Sequence, residues 1–456
     1  MDNELTALGI IFTEFYYWLT VVLMFFIHVG FCMYEVGVSR HKNHMHTLMK
    51  NTMLIPLVTI TFFYFGWYIY FAWPNGPGIT GGIADASNAT PWSEVMGPSM
   101  GGQDDLHGGW ARINGVFWAA FLLFSWTAAS IVSGSVIERI KSGGFWILAV
   151  AIGSFFWIID AAWGWHAGGW MVKLWGYHDA YASGVIHAIA GGFALGILVV
   201  LGPRIGKFAA DGTPRNINPR NPWLVTIGLF MIYTGFWGFY VACNIPMWDI
   251  QAGDGVFYSA TNIYLAPTTL SAITMNFLMS LSGGLLMGYL ISKGDAFWTY
   301  SSGLAGIIAA SAGNDLYHPI QAMIIAAAGV VFMYKVHYWV ENKFKIDDAV
   351  GAVAVHGYAG FFGVVIAGFV LWGYPSSPDD SFAAINPLGQ FAGAIVMFFV
   401  LGFVPGWVIS KILNGLGMLR IPREIELMGL DTAAAEAEAA DETAIIQAEK
   451  DAILKH

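Results

Sequence analysis

The sequence predicts an all-α integral membrane protein with eleven transmembrane helices: two inverted five-helix halves plus an eleventh helix, N-terminus outside and C-terminus inside. Three observations lead there. Of 456 residues, 57% are hydrophobic and only 11% are charged, whereas a soluble domain is about a quarter charged. Apolar runs long enough to cross about 30 Å of hydrocarbon recur along the chain. Basic residues collect in alternate loops between those runs, the signature of cytoplasmic loops.

The runs fall at about 8–38, 51–72, 112–137, 144–163, 181–202, 222–243, 263–292, 296–312, 318–337, 349–373 and 389–413. The 55 glycines, 20 tryptophans and 33 phenylalanines suit such a protein, since glycine lets helices approach and aromatic rings mark interfaces. Arg40 and Lys42 follow the first run, Arg139 and Lys141 the third, and Arg204, Lys207, Arg215 and Arg220 the fifth. Lys293 follows the seventh, Lys335, Lys343 and Lys345 surround the end of the ninth, and Arg420 and Arg423 follow the eleventh. All lie on one side if the chain starts outside and ends inside. The opposite loops are acidic or neutral: 73–110 is rich in Gly, Pro, Ser and Asn, 244–262 carries Asp249 and Asp254, and 374–388 carries Asp379 and Asp380. Lys173 in the 164–180 loop is the exception.

The opening MDNEL carries acids where a signal peptide needs a basic region, so the first run is expected as a retained helix. A net charge of -10 argues against a nucleic-acid partner. Cys32 and Cys243 sit in apolar runs and form neither a disulfide framework nor a cysteine-based metal spacing. The expected organisation is a transmembrane domain over 1–423, with halves at about 8–202 and 222–373 and the final helix at about 389–413. An acidic, alanine-rich cytoplasmic tail follows over 424–456. At ~30 residues that tail is too short for a signalling or catalytic domain.

An internal repeat carries the chemistry. DAYASGVIHAIAGGF begins at Asp179 and DAVGAVAVHGYAGFF at Asp348. Asp179 pairs with Asp348, His187 with His356, Gly191 with Gly360 and Phe193 with Phe362. In each copy the histidine follows the aspartate by eight positions, just over two helical turns. The fifth run descends and the tenth ascends, so the copies are inverted, a transporter plan that places the site near the midplane between halves. Each aspartate stands at a helix start, where a carboxylate satisfies free N–H groups and meets the positive dipole end. Each histidine lies deeper, among hydrocarbon. Intramembrane ionisable groups are rare and line pathways, although each histidine also has an ordinary reading as a hydrogen-bonded interior residue. A metal site between His187, His356 and a carboxylate is disfavoured, because the aspartates lie two turns away, and none is assigned.

These segments resemble the ammonium transporter family (Amt/Mep/Rh). GFCMYEVGVSRHKN at 30–43 resembles the end of its first helix, IVSGSVIERI at 131–140 the end of its third, and REIELMGLD at 423–431 the start of its cytoplasmic tail. The two Asp-x7-His segments resemble its fifth and tenth helices. The resemblance implies a homotrimer in the plasma (inner) membrane, each subunit with a narrow apolar pore. It also implies that His187 and His356 are the twin pore histidines, that Phe124 and Phe239 are stacked gate rings, and that Trp163, with Trp165 as substitute, stands at an outer cation site. Asp179 is the implied cap at that site, Asp348 its pseudo-symmetric counterpart, and a PII-type signal protein the implied cytoplasmic partner. No cofactor is implied. Two stretches depart from the family pattern. The sixth helix reads Gly238-Phe239-Tyr240-Val241-Ala242-Cys243 where the family has Gly-Phe-Asn-Ala-Gly-Ser, putting Cys243 in the place of a cation-binding serine. The seventh begins APTTLSAITMN.

Ammonium has four N–H donors, suits a tryptophan face, and can shed its charge by losing a proton, which potassium cannot. The expected function is therefore recruitment of ammonium at an outer site, deprotonation, and ammonia conduction along the histidine pair, with or without a separate proton relay. The alternatives are an ammonium sensor using the same outer site and a transporter of methylammonium or another small amine, for which the Tyr240 and Cys243 departures speak. An intramembrane hydrolase finds no Gly-x-Ser-x-Gly or metal-protease motif in the sequence.

Overall fold

The computed structural model describes residues 2–76, 109–166, 168–249, 256–261, 264 and 266–434, with isolated positions 436, 443 and 447. Most of the Gly- and Pro-rich 73–110 loop, Asp254, and most of the acidic tail lie outside the described residues. Among the described residues, ten helical segments are long and apolar enough to cross a membrane: α1 (Leu8–Val38), α2 (His41–Ala72), α3 (Gly115–Ser135), α4 (Ser142–Gly164), α5 (Ser183–Leu201), α6 (Pro222–Ala242), α7 (Leu270–Ile291), α9 (Pro319–Phe344), α10 (Val353–Val370) and α11 (Pro387–Gly415). The expected eighth run forms α8 (Ala296–Ala310), 15 residues continued by a single 3₁₀ turn, Ser311–Gly313. At 1.5 Å per residue α8 reaches about 22 Å, short of the hydrocarbon thickness. It is nonetheless packed between α7, α9 and α10.

The helix starts are written in the sequence. Asn221, Thr269, Asp295 and Asn386 each accept a backbone N–H of the first turn with the side chain. Proline follows Asn221 and Asn386 at the first helical position, where its missing N–H costs nothing. His318 closes a reciprocal cap with Gln321 ahead of α9. Strands are a feature that the run pattern does not predict. Asn244–Asp249, Val256–Thr261 and Pro267–Thr268 form a three-stranded antiparallel sheet, β1-β2-β3, in the connection from α6 to α7. The described residues are therefore helical with one small sheet at the end of the bundle opposite the basic loops.

Two contacts organise the bundle. Helix α1 runs along α6, and α5 crosses α10. These are the first and last helices of each sequence half, so equivalent elements meet. At the α1–α6 seam a Cβ on Gly30 would stand 2.5 Å from the Gly228 carbonyl oxygen, which only glycine permits. The basic end of the bundle is tied by buried ion pairs. Arg204 binds both Asp347 oxygens, at 2.8 and 2.9 Å, and reaches Glu138 at 3.7 Å, while Arg40 meets Glu138 at 2.7 Å. Burial pushes the Asp347 and Glu138 carboxyls up, but the neighbouring arginines prevail and hold both below the ordinary range. Asp431 accepts the backbone N–H groups of Met45 and His46, each at 2.9 Å, fastening the REIELMGLD segment to the start of α2.

Candidate functional site

The two repeat copies fold alike. Asp179 accepts the backbone N–H groups of Ser183, Gly184 and Val185 at 2.7, 2.7 and 2.9 Å. Asp348 accepts those of Ala352, Val353 and Ala354 at 3.0, 2.8 and 3.3 Å. The offsets of four, five and six are the same because each helix opens with a π-helical turn, Ser183–Ala188 and Val353–Tyr358. The third residue after each aspartate is left-handed, Ala182 at φ 72° and Gly351 at φ 68°. Tyr177 and Ser135 complete the carboxylates, donating to Asp179 at 3.2 Å and to Asp348 at 3.0 Å. Burial raises both carboxyls against these donors, Asp348 to about 6.

Glycines then set the distance between the histidines. A Cβ on Gly191 would stand 2.2 Å from the Gly357 Cα, and one on Gly360 would stand 2.2 Å from the Ser183 carbonyl oxygen. With no side chain between the backbones, the buried imidazoles of His187 and His356 meet edge to edge, Nδ1 to Nδ1 at 3.1 Å. A hydrogen bond between two ring nitrogens needs one proton. In a neutral pair one Nδ1 therefore donates and the other ring carries its proton on Nε2. The pair presents one Nε2–H donor and one bare Nε2 acceptor to whatever lies along it.

Aromatic rings enclose the pair. Phe239 stacks on His187 with ring centres 5.7 Å apart and 20° between planes, and Phe236 does so at 5.7 Å and 13°. Phe124 meets Phe239 at 4.7 Å, edge to face at 80° rather than stacked. Phe31 lies 6.1 Å from His356. A cavity of about 20 Å³ borders His356 and is lined also by Phe31, Tyr34, Glu35 and Ser301; ~10–15 Å³ suffices for one water-sized molecule. Phe236 escaped the sequence reading, although its position three before Phe239 places it on the same helix face.

At the sheet end the structure separates the two tryptophans. Trp165 is fully buried, lies 5.2 Å from Phe124, and donates its ring N–H to the Asp179 carbonyl at 2.6 Å. Trp163 faces Trp170 at 5.6 Å. Cys243 is buried, its thiol directed at the Phe239 carbonyl at 3.4 Å, and burial pushes that thiol well above its usual range. Tyr240 stacks on Tyr181 at 4.2 Å, bonds Ser311 at 2.7 Å and accepts from Asn314 at 3.1 Å. Asn276, the last residue of the departing APTTLSAITMN stretch, donates to the Asn314 and Tyr317 carbonyls at 2.7 and 2.8 Å. The two departures are thus joined through Asn314. His178 pairs with Asp315 at 2.9 Å beside them. His28 bonds Ser130 at 3.4 Å, away from the pair. Among the described residues, no three His, Cys, Asp or Glu side chains gather as metal ligands.

Comparison with known proteins gives a consistent placement. A sequence model described as the Ammonium Transporter Family matches residues 15–440. Ammonium transporter Amt2 of Archaeoglobus fulgidus is 29% identical over 440 residues, covering 90% of this chain and 84% of the relative. Ammonium transporter Amt1 of Methanocaldococcus jannaschii is 30% identical over 426 residues, covering 92% and 94%. Among solved structures, a sensor Amt protein superposes with a TM-score of 0.73 at 22% identity, covering 95% of this chain and 99% of its own. Mep2 of Candida albicans superposes with a TM-score of 0.68 at 16% identity, covering 90% and 86%. At those identities the structural likeness speaks for the fold alone.

Two predictions follow from the crossing and the caps. Gly191→Ala drives a methyl into the Gly357 backbone and should cost ~1–3 kcal/mol of stability in detergent unfolding. Gly143→Ala, whose Cβ meets nothing within 4 Å, should be neutral; equal melting of the two variants would contradict the close crossing. Between its ordinary value of 3.8 and about 6, the folded Asp348 holds a proton that the unfolded chain has released. This group therefore favours folding at low pH, and that contribution is lost as pH rises through about 6. An infrared carboxylic-acid band that fades across that range, absent in Asp348→Asn, is the expected record.

Proposed function

We propose, for a chain that belongs to the ammonium transporter family, that it conducts ammonia, drawn from ammonium, through the column holding His187 and His356. The observation that carries this reading is the imidazole pair sharing one hydrogen bond at 3.1 Å within an aromatic column beside a cavity of about 20 Å³. A charge at the bilayer centre costs from ~3 to more than 10 kcal/mol. Potassium and sodium meet that cost in full. Ammonium escapes it by leaving its proton behind, and the neutral molecule then finds one donor and one acceptor on the histidine pair.

In this reading Phe124 and Phe239 close the column at the sheet end, and Trp165 rather than Trp163 presents its indole next to the gate. Asp179 acts through its helix start and the Trp165 contact, since its oxygens are taken up by three amides and Tyr177. Cys243 and Tyr240 occupy the place of the family's polar acceptors, and they are the residues to examine for a preference among ammonium, methylammonium and other small amines. Asp348 plays the corresponding part at the basic end.

The topology proposed is eleven spans, with α8 as the short eighth, N-terminus outside and the basic end cytoplasmic. The shared amide offsets of Asp179 and Asp348, and the pairing of α1 with α6 and α5 with α10, support two inverted halves over about 8–202 and 222–373. The transmembrane domain then covers 1–423 and the cytoplasmic tail 424–456. The proposed assembly is a homotrimer in the plasma membrane. A PII-type protein is the proposed partner of the basic face, where Asp431 holds the tail against α2.

The test is charge movement on solid-supported membranes with the full chain in liposomes, together with stopped-flow ammonia uptake. Ammonium should be transported and potassium excluded, with the ammonium signal changed about tenfold or more in His187→Ala and His356→Ala. Potassium currents equal to ammonium currents, or neither current nor uptake in the wild type, would overturn the reading. Methylammonium pulses on Tyr240→Asn and Cys243→Ser report which departure sets the substrate preference.

A further inference from the structure

Glu35 sits on α1 within the GFCMYEVGVSRHKN stretch, outside the aromatic column around the histidine pair. It is fully buried. One oxygen, Oε2, is saturated: it accepts from Ser133 at 2.8 Å, Asn51 at 3.0 Å and Lys50 at 3.4 Å. The other, Oε1, is buried with no hydrogen-bond partner. A structural ion pair with Lys50 explains the first oxygen and leaves the second unexplained.

The direction of Oε1 is informative. Glu35 lines the same small cavity as His356, together with Gly134 and Val350. A Cβ built on Gly134 would stand 3.6 Å from Oε1 and 2.5 Å from a Val350 methyl. The free oxygen therefore lies on the cavity's Gly134–Val350 wall. The other polar groups of the lining are already engaged, Tyr34 donating to the Val350 carbonyl at 3.0 Å and lying 3.3 Å from Ser301. The cavity admits about one water-sized molecule between the imidazole and the carboxylate.

We propose that Glu35 is the proton acceptor serving the histidine pair on the basic side of the column, through that single water-sized molecule. The proposal rests on the transport reading above. The step balances simply. Ammonium at the sheet end divides into ammonia and a proton, and the proton reaches His356 through His187. The N–H bond on the His356 imidazolium breaks with its electron pair left on the ring nitrogen, the proton joins the water molecule in the cavity, and that water gives up one of its own O–H protons to form an O–H bond at Glu35 Oε1. The carboxylic acid then returns the proton to water at the basic end. Ammonia travels separately, and one positive charge crosses per ammonium consumed. Lys50 stays paired to Oε2 throughout, keeping the carboxylate in place.

The experiment measures charge movement and ammonia uptake on the same reconstituted full-length protein. Glu35→Gln should lower ammonium-driven charge about tenfold or more while uptake stays within about twofold of wild type. Because Glu35→Gln also strands Lys50, Glu35→Asp is measured beside it. It keeps the charge opposite Lys50, withdraws the oxygen from the cavity, and should show the same split in weaker form. Wild-type charge movement in Glu35→Asp, or charge and uptake falling together in that variant, would overturn the proposal and leave Glu35 as an ion-pair residue. If Glu35→Gln does not assemble, Glu35→Asp decides alone by the same criteria. A wild-type protein that shows neither charge movement nor uptake contradicts the transport reading itself, a different outcome from an unaffected variant.

Discussion

The backbones of α5 and α10 touch where Gly191 faces Gly357 and Gly360 faces Ser183. Everything proposed for the column depends on that contact. Helices with side chains between them lie about 8–10 Å apart; here the seam has no side chain to hold the backbones at that distance. Removing the Cβ atoms brings the backbones together, and the π-helical turns rotate the histidines inward. The buried carboxylates of Asp179 and Asp348 hold those turns open by accepting three amides each. Glycine, π turn, cap and histidine are therefore parts of one device, made twice.

Much of this was legible from the chain. The Asp-x7-His spacing singled out the two histidines that the fold brings within 3.1 Å, and its recurrence marked two helix starts capped alike. The basic residues marked one end of the bundle. The rest was hidden for identifiable physical reasons. A π turn shifts the helical register by one residue over a single turn, too briefly to leave a period in the sequence. Ala182 does not advertise a positive φ as Gly351 does. The choice between Trp163 and Trp165 depends on how a loop turns, and two residues on a helix end point in different directions. The small sheet lies between residues that read as a polar connection. Glu35 carries no pattern of its own, and its free oxygen appears only when Gly134, Val350 and His356 come together.

The departures from the family sequence read differently once folded. Taken singly, Tyr240 and the altered start of α7 look like losses at an outer site. Together they form one buried network, in which the Tyr240 hydroxyl, Ser311, Asn314, Ser280 and Asn276 are linked by hydrogen bonds while the Asn276 and Asn314 side-chain oxygens have no partner. Buried polar groups carry a cost unless paired, so a change at one position constrains the others. Substitution of Tyr240 by a smaller residue is therefore a change to the whole network and not to a single side chain.

The central claim is that His187 and His356 share one proton between their Nδ1 atoms. Solid-state nitrogen NMR on histidine-labelled protein in lipid tests it directly. The account predicts a coupling across the hydrogen bond between the two Nδ1 nitrogens, one protonated and one bare, lost in either histidine-to-alanine variant. Two Nδ1 nitrogens in the same protonation state with no coupling between them would contradict it.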